Sequence, residues 1–216
     1  MNTNIKKSNM ILNKIPVDMT QEEVSRLDEM YTRDYPKYIK NEMKGYSENS
    51  NSYNTVLRND VFEELLNKGV PIEKVINKMT NIDFEKKFIM SKEVFLGKIN
   101  NLSKTEISLK EPTILYRGLN ENIEKYKIGD IFIDNGFSST SFSNVVARGY
   151  AGDKGFVEVI HAEKNTLGSY IRQNSKHPEH IEFKLPAGSS RKVTFIDFEK
   201  KEIHTKIIRE RFKNKK

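Results

Sequence analysis

The pattern of hydrophobic and polar positions divides the chain into two parts with different periodicity. From residue 20 to about residue 104, apolar side chains recur every three or four positions, the spacing of helices that bury one face. Thr20 and Glu23 form a capping-box pattern ahead of Val24 and Leu27, so a first helix is predicted to begin there. This part of the chain is therefore predicted to be helical.

Three further helices are predicted in the same part. Gly69 is a typical helix end, and Pro71 is a typical first residue of the next helix. In chain order, the three helices are predicted at about 52–69, 71–76 and 83–95.

After Pro112 the pattern changes to short runs of β-branched and aromatic residues, separated by turns that contain glycine or proline. These runs predict six or seven strands, at 113–117, 130–132, 137–142, 156–162, 181–185, 191–198 and 202–208. Helices followed by strands indicate the α+β class. We expect one domain over residues 1–216, with a helical part at about 18–108, a strand-rich core at about 112–208 and a basic tail at 209–216.

Composition excludes several kinds of chemistry. The 216 residues include no cysteine, which rules out disulfides, thiolate catalysis and cysteine-based zinc sites. Among the four histidines, His177 and His180 are three positions apart, but Pro178 lies between them and no third ligand is evident, so we expect no metal site. No apolar run is long enough to cross a bilayer, and the first residues lack a secretory signal, so we expect a soluble protein.

The net charge of +7 would suit an acidic partner such as nucleic acid or an anionic membrane surface. Much of this charge lies in the last residues of the chain, where basic side chains are more often a solvated terminus than a binding surface. We therefore favour the solvated terminus and keep the nucleic-acid interpretation as an alternative.

Three features of the strand-rich part place polar groups within apolar sequence. Arg117 ends a hydrophobic strand beside Gly118 and must find an anion, either a carboxylate in a structural ion pair or a ligand phosphate. Ser139 lies in a cluster of hydroxyl residues where alternation puts it on one face with Ser141, and no base beside it supports a serine nucleophile. Glu182 lies between two apolar residues of a predicted strand.

Alternation along that strand would place His180, Glu182 and Lys184 on one face, and a solvent-facing strand of mixed charge is the plain alternative. Together, however, an arginine, a hydroxyl and a carboxylate on strands would suit cleavage of a glycosidic bond to a good leaving group. Nicotinamide in NAD is such a group, because it is already cationic in its bond to ribose. The site then needs a carboxylate near the oxocarbenium-like centre and anchors for the diphosphate.

These residues resemble the arginine-serine-glutamate class of bacterial ADP-ribosyltransferase toxins, which includes the enzymatic components of binary toxins and the Rho-modifying clostridial exoenzymes. The aromatic-X-Ser-Thr-Ser motif of the family is present at 137–141, and its glutamate strand leading to Leu-Pro-X-Gly is present at 182–188. Weaker similarity extends from about residue 20 to residue 200. The resemblance implies helices packed on a two-sheet, β-sandwich-like core of the ADP-ribosyltransferase type.

The resemblance also implies roles for individual residues. Arg117, Ser139 and Glu182 would be catalytic: Arg117 would bind NAD phosphate, Ser139 would position Glu182, and Glu182 would bind the ribose hydroxyl and stabilise the oxocarbenium ion. Gly118 would hold the nicotinamide amide through its backbone, and Tyr150 would stack on nicotinamide. The implied NAD-binding set is Asn54, Arg58, Gly118, Thr140 and Tyr150, and residues 164–171 resemble the strand that enters the substrate-recognition loop.

Two positions depart from the family pattern. Family members usually carry Glu or Gln two residues before the catalytic glutamate, and here that residue is His180. The resemblance therefore does not identify the type of acceptor. His180 or Glu179 would contact the acceptor or deprotonate it. In the loop after the serine motif, the family arginine is replaced by Asp153, which leaves Arg148, Lys154 or neither in that role.

The sequence thus predicts a mono-ADP-ribosyltransferase that uses NAD as co-substrate and no metal. We expect a monomer that modifies a macromolecule, with a target-cell protein favoured over nucleic acid, after secretion or delivery into that cell. A separate translocation component would then bring it in. The alternatives are an NAD glycohydrolase, a phage-type modifier of host protein or nucleic acid acting inside the cell, and a non-catalytic basic binding module.

Overall fold

The structure is a computed structural model that describes residues 15–59, 70, 72–88 and 90–209. The helices in these ranges are α1 Gln21–Tyr31, α2 Lys37–Glu48, α3 Ser50–Leu57, α4 Ile72–Ile76, α5 Asn81–Phe88, α6 Lys92–Ser103 and α7 Asn144–Ala151. Short 3-10 turns lie at Ile123–Lys125, Arg172–Asn174 and Pro178–His180. None of the described helices is long and apolar enough to cross a membrane.

The predicted start of α1 is confirmed, because the Thr20 side chain accepts a hydrogen bond from the Glu23 amide and the Glu23 side chain accepts one from the Thr20 amide. The predicted helix over 52–69 is seen as α3 up to Leu57, and its continuation through residues 60–69 lies outside the described residues. The predicted helix over 83–95 is wrong as one element. It is α5 and α6, and Ser91 caps α6 by accepting from the Val94 amide.

Two helices were not predicted. Helix α2 follows Pro36 and buries Ile39, Met43 and Tyr46 at helical spacing. Helix α7 interrupts the strand-rich part after Ser143, whose side chain caps it by accepting from the Val146 amide.

The strands are β1 Ile107–Ser108, β2 Thr113–Leu119, β3 Ile131–Asp134, β4 Ser138–Ser141, β5 Phe156–Ala162, β6 Leu167–Tyr170, β7 Glu182–Leu185, β8 Ser189–Asp197 and β9 Glu202–Arg209. Strand β6 is the one that the family resemblance implied within residues 164–171. Strand β1 was not predicted, because two residues are too short for a pattern.

The expected two-sheet core is wrong, because the described strands form one mixed sheet in the order β1-β6-β7-β4-β2-β5-β9-β8-β3. Strand β2 joins its two halves. It pairs with β5 over its whole length, but with β4 only at Tyr116 and Ser141. Strands β5 and β9 are parallel, and the other pairs are antiparallel. The loose junction between β2 and β4 leaves room between the halves of the sheet.

Two hydrophobic clusters hold the helices against this sheet. The first includes Tyr46, Phe84 and Phe95 from the helices and Phe137 from the residue before β4. The second joins Val24 and Tyr31 of α1 to side chains of β2, β5, β6 and β7. The helical part therefore packs on the strands that border the β2–β4 junction.

Candidate active site

A cavity of about 290 Å³ lies at this junction, between β2, β4 and β7 of the sheet and helices α2, α3 and α7. All the predicted site residues except Glu179 contribute to its lining: Asn54, Arg58, Arg117, Gly118, Ser139, Thr140, Tyr150, His180 and Glu182. Residues far apart in the chain therefore meet in one place.

Glu182 is the buried carboxylate of the cavity. Only 8% of the residue is exposed, and its Oε1 has no hydrogen-bond partner among the described residues. Burial raises the pKa of Glu182 to about 7, although a hydrogen bond from Ser139 and the charge of Lys184 act in the opposite direction. A buried carboxylate oxygen with no protein partner is costly, which makes this atom a candidate ligand-binding group.

Ser139 connects Glu182 to the helical part. Its Oγ lies 3.0 Å from the hydroxyl of Tyr46, a buried residue of α2. Burial, followed by the nearby charge of Glu182, raises the pKa of Tyr46, so the phenol stays protonated. Tyr46 was not predicted as a site residue, and its sequence signal is only that of a helical core position.

Arg117 faces a carboxylate that no sequence motif indicates. Its Nη1 donates to Asp134 Oδ2 at 2.7 Å and to Ser138 Oγ at 2.9 Å. The structure thus shows the ion pair, one of the two alternatives for Arg117, and also places this residue in the cavity wall. Burial would raise the pKa of Asp134, but the charges of Arg117, Arg58 and Arg191 hold it far below its usual range.

A second buried ion pair extends this network. Arg191 donates to Glu158 at 2.7 Å and to Ser138 at 3.2 Å, and both charged side chains are almost fully buried. Within the hydrogen-bonded group, the guanidinium groups of Arg58, Arg117 and Arg191 outnumber the carboxylates of Asp134 and Glu158, so one positive charge is left over. This excess cation would attract an anionic ligand.

Asn54 and Arg58 hold the backbone that leads into β4. The Asn54 side chain accepts from the Phe137 amide at 2.8 Å and donates to the Phe137 carbonyl at 3.2 Å. Arg58 donates to both carboxylate oxygens of Asp134 and to the same carbonyl. Gly136 allows this approach, since a Cβ there would lie 2.6 Å from the Asn54 amide oxygen.

Gly118 and Tyr150 form the wall made by α7. A Cβ on Gly118 would lie 2.0 Å from the Ala147 carbonyl oxygen, so the glycine lets α7 pack directly on β2. Tyr150 of α7 is 61% exposed, and its hydroxyl lies 3.2 Å from His180 Nδ1. Thr140 is buried and donates to the Phe183 carbonyl, so its hydroxyl joins β4 to β7.

His180 lies in the 3-10 turn Pro178–His180, not on β7. Ile181 follows in the left-handed region with φ of 44°, an unusual conformation for a β-branched residue, and it breaks the alternation. The expectation that His180 shares a strand face with Glu182 and Lys184 is therefore wrong. The solvent-facing alternative is also wrong, because every residue of β7 is buried.

Burial lowers the pKa of His180, as does His177, while Glu179 opposes this shift, so the His180 imidazole is neutral at pH 7. Its backbone carbonyl accepts from Ser141 Oγ, which fixes the turn on β4. Glu179 does not line the cavity and lies 3.4 Å from His177 Nδ1.

A salt bridge from the first helix supports the same turn. The guanidinium of Arg172, only 2% exposed, donates to Asp28 of α1 and, at 3.1 Å, to the Pro178 carbonyl. Tyr170 also donates to Asp28, at 2.7 Å. Asp28 and Arg172 were not predicted, because 144 positions separate them and no local pattern joins them.

The expected absence of a metal site stays a prediction. A third donor, which the sequence pattern does not reveal, lies near His177 and His180. It is Glu179, and the three side chains bring donor atoms within 4.8 Å of one another. The three residues are partly exposed, and imidazole and carboxylate groups often meet near protein surfaces without an ion.

The two candidates for the missing loop arginine are not in the cavity wall. Arg148 turns towards β9, where it donates to the Lys200 carbonyl at 2.8 Å and to Glu202. Lys154 is exposed and does not line the cavity. Arg58 and Arg117 are the guanidinium groups in the described lining.

Comparison with known proteins places this geometry in a family. The model of the ADP-ribosyltransferase exoenzyme family matches residues 12–215. The chain belongs to this family. The resemblance inferred from its sequence is therefore confirmed, and the chain is an ADP-ribosyltransferase exoenzyme that uses NAD. No curated protein sequence matches this member of the family significantly.

Solved structures of ADP-ribosyltransferases share the fold of this exoenzyme at low sequence identity. C3stau2 from S. aureus, solved with NAD, is 17% identical with a TM-score of 0.65, covering 91% of this chain and 100% of its own. The Clostridium limosum C3 exoenzyme is 18% identical with a TM-score of 0.65, covering 90% and 98%. The toxin Plx2a from Paenibacillus larvae is 18% identical with a TM-score of 0.57, covering 88% and 92%.

Proposed function

We propose that this enzyme transfers ADP-ribose from NAD to a side chain of a target-cell protein. The observation that carries the proposal is Glu182, whose unpartnered buried oxygen lies in a cavity wall shared with Arg117 and Arg58. A carboxylate stabilises a developing oxocarbenium ion, and guanidinium groups bind a diphosphate. The two requirements of NAD cleavage are thus met within one cavity.

In the proposed reaction, the bond between nicotinamide nitrogen and ribose C1′ breaks, and its electron pair leaves with the nicotinamide. Glu182 stabilises the cationic ribose and binds its hydroxyl, while Ser139 and Tyr46 fix the carboxylate. The acceptor atom then bonds to C1′ and loses a proton. His180 is suited to accept that proton, because burial lowers its pKa and favours the neutral imidazole.

We assign NAD-binding roles by position. Arg117 and Arg58 would hold the diphosphate, since their network with Asp134, Arg191 and Glu158 keeps one excess positive charge. The Gly118 backbone would hold the nicotinamide amide, and the exposed ring of Tyr150 would stack on nicotinamide. Asn54 and Thr140 would act by fixing β4, because their polar side-chain atoms bond to backbone groups.

The turn Pro178–His180 is the proposed acceptor-binding element. It borders the cavity through His180, and Glu179 lies beside it outside the lining. We propose secretion or delivery into a target cell, and a protein acceptor there. NAD hydrolysis is the second candidate function, because neither Glu nor Gln occupies position 180.

The test is incubation of the protein with labelled NAD, with and without target-cell lysate. We expect nicotinamide release and protein labelling by the wild type, and at least about a 100-fold loss of both for Glu182→Gln. Glu179→Gln is the matched control. It removes a nearby carboxylate outside the cavity lining and should retain NAD hydrolysis.

The outcomes separate the candidate functions. Label that resists nuclease but not protease identifies a protein acceptor, and the reverse identifies nucleic acid. Free ADP-ribose without labelled macromolecule shows that the enzyme is a glycohydrolase. Equal nicotinamide release by wild type and Glu182→Gln would contradict the proposed role of Glu182.

His180 is tested separately, through His180→Glu. We expect this change to alter the choice of acceptor while NAD hydrolysis continues, since the imidazole lies in the turn outside β7. The measurement compares nicotinamide release with labelling of lysate proteins. Loss of hydrolysis would place His180 in the NAD site instead.

A further inference from the structure

Lys184 is a fully buried lysine two residues after Glu182 on the same strand. It is 0% exposed and lies within β7, where it pairs with Ser139 of β4 and Ser169 of β6. Alternation along β7 puts it on the face that carries Glu182, while Phe183 and Leu185 on the other face pack into the cluster around α1.

The Lys184 ammonium is surrounded by aromatic rings. Its Nζ lies 4.0 Å from the ring centre of Phe137 and 5.8 Å from that of Tyr46. Among the described residues, this Nζ has no hydrogen-bond partner. A buried ammonium is costly even over aromatic faces, so an apolar side chain would suit this position better for stability alone.

The groups of opposite charge near Lys184 come from two elements. Glu182 is on its own strand, and Glu106 is in the segment before β1. Burial lowers the pKa of Lys184 to about 8, and both carboxylates oppose that change. Lys184 is therefore largely charged at pH 7.

Glu182 is influenced by groups on several packed elements. Burial raises its pKa to about 7, whereas the Ser139 hydrogen bond and the Lys184 charge lower it. The other titratable groups facing the carboxylate or lining the same cavity are Tyr46 of α2, Arg58 after α3, Tyr116 and Arg117 of β2, Tyr150 of α7 and His180 of the turn.

We propose that Lys184 is a positioning residue for the transfer reaction, and that its buried ammonium favours the anionic form of the Glu182 carboxylate. This inference rests on the proposed role of Glu182. An anionic carboxylate is the form that stabilises a cationic ribose. Lys184 has no place in the cavity lining and acts on the reaction only through Glu182.

The test replaces the cation with an uncharged side chain of similar length, Lys184→Met. The measurement is kcat and kcat/KM for NAD hydrolysis between about pH 5.5 and 9, a range that spans the titration of Glu182. Without the cation, we expect the acid limb of both profiles to move up by about one pH unit. Activity should then fall by about tenfold at about pH 6 and change little at about pH 8.5, because Glu182 is ionised there in both proteins.

Lys92→Met is the matched control. Lys92 of α6 is also buried, with 8% exposure, but its Nζ donates to the Met79 carbonyl at 2.6 Å within the helical part. This variant removes a buried lysine away from Glu182. It should lose stability and leave the acid limb unchanged.

A uniform loss of kcat with an unmoved acid limb would overturn the proposal, since a merely structural role gives that result. Lys184→Leu carries the same expectation, should the methionine variant fail to fold. Carboxyl 13C NMR of the free protein, with the Glu182 signal assigned from Glu182→Gln, supplies a readout without activity. An unchanged Glu182 titration in a folded Lys184 variant overturns the inference. Absence of NAD cleavage by the wild type overturns only the proposed function.

Discussion

At the residue scale, the site depends on one carboxylate whose burial disfavours its ionised form. Glu182 is buried, one of its oxygens has no partner among the described residues, and burial raises its pKa to about 7. Residues placed at a cost to stability are typical of functional sites, because selection there acts on activity. A hydrogen bond from Ser139 and the charge of Lys184 limit this cost, and the Tyr46 hydroxyl in turn contacts Ser139.

Glu182→Gln should therefore change how stability depends on pH. The folded pKa of about 7 lies above the usual 4.5, so the stabilising contribution of protonated Glu182 is present below pH 4.5 and lost as pH rises through 7. Relative to wild type, the variant should gain on the order of 3 kcal/mol between about pH 4.5 and about pH 8. Urea denaturation at both pH values measures this gain. A stability difference independent of pH would contradict it.

Gly118→Ala should destabilise the protein by about 1–3 kcal/mol, since the new Cβ would collide with the backbone of α7. Gly149→Ala is the matched control on α7, where a Cβ would meet nothing within 4 Å. That change should stabilise by about 0.5–1 kcal/mol through helix propensity. Thermal or urea denaturation of the two variants distinguishes them. A Gly118→Ala variant at least as stable as the wild type would show that Gly118 is not needed for close packing.

At the element scale, the cavity is built by contacts between elements far apart in the chain. Strand β2 carries Arg117, β3 ends at Asp134, and α3 is followed by Arg58, so one carboxylate joins three segments. Helix α1 supports the turn Pro178–His180 through Asp28 and Arg172. The proposed NAD side and the proposed acceptor side of the cavity thus have separate supports.

That separation predicts a selective effect of Asp28→Asn. Loss of the Asp28 charge beside the buried Arg172 should cost about 3 kcal/mol and loosen the turn Pro178–His180. Transfer to the acceptor should then fall more than NAD hydrolysis, because the Arg117 network is untouched. The two rates measured side by side provide the check, with the exposed Glu29→Gln as control. Equal loss of both rates would mean that the turn also supports the NAD side.

At the scale of the whole molecule, NAD would bind between the helical part and both halves of the sheet, since the cavity is lined by α2, α3, β2, β4, β7 and α7. A ligand that contacts all these elements stabilises only the assembled fold. Binding should therefore raise the stability of the whole unit.

With NAD at about 100 times its Kd, the stability of Glu182→Gln should rise by about 2.7 kcal/mol, or about 5–10 °C in Tm. The Glu182→Gln variant is the one to use, because slow NAD cleavage keeps the ligand intact during the melt. Adding Arg58→Ala should reduce the shift, since one cation beside the proposed diphosphate site is lost. Differential scanning calorimetry gives the measurement. An undiminished shift would remove Arg58 from the NAD site.

Local patterns explain which features were predictable. The Thr20 cap, the run of β2 and the strand that carries Glu182 depend on neighbours within a few positions, and the structure agrees with each. The motifs at 137–141 and 182–188 were also recognisable from the sequence, because their chemistry requires certain residue types in a fixed order. The family was correct on these grounds.

The sequence by itself thus determined the α+β class, the family and about half of the residues that line the cavity. Only the tertiary structure decided that the sheet is single, that Asp134 pairs with Arg117, that His180 leaves the strand at Ile181 and that Lys184 is buried. The physical reason is that these features depend on contacts between residues far apart in the sequence. Hydrogen-bond partners and burial are set by packing between distant segments, and burial in turn sets the charge of Glu182, on which the proposed chemistry depends.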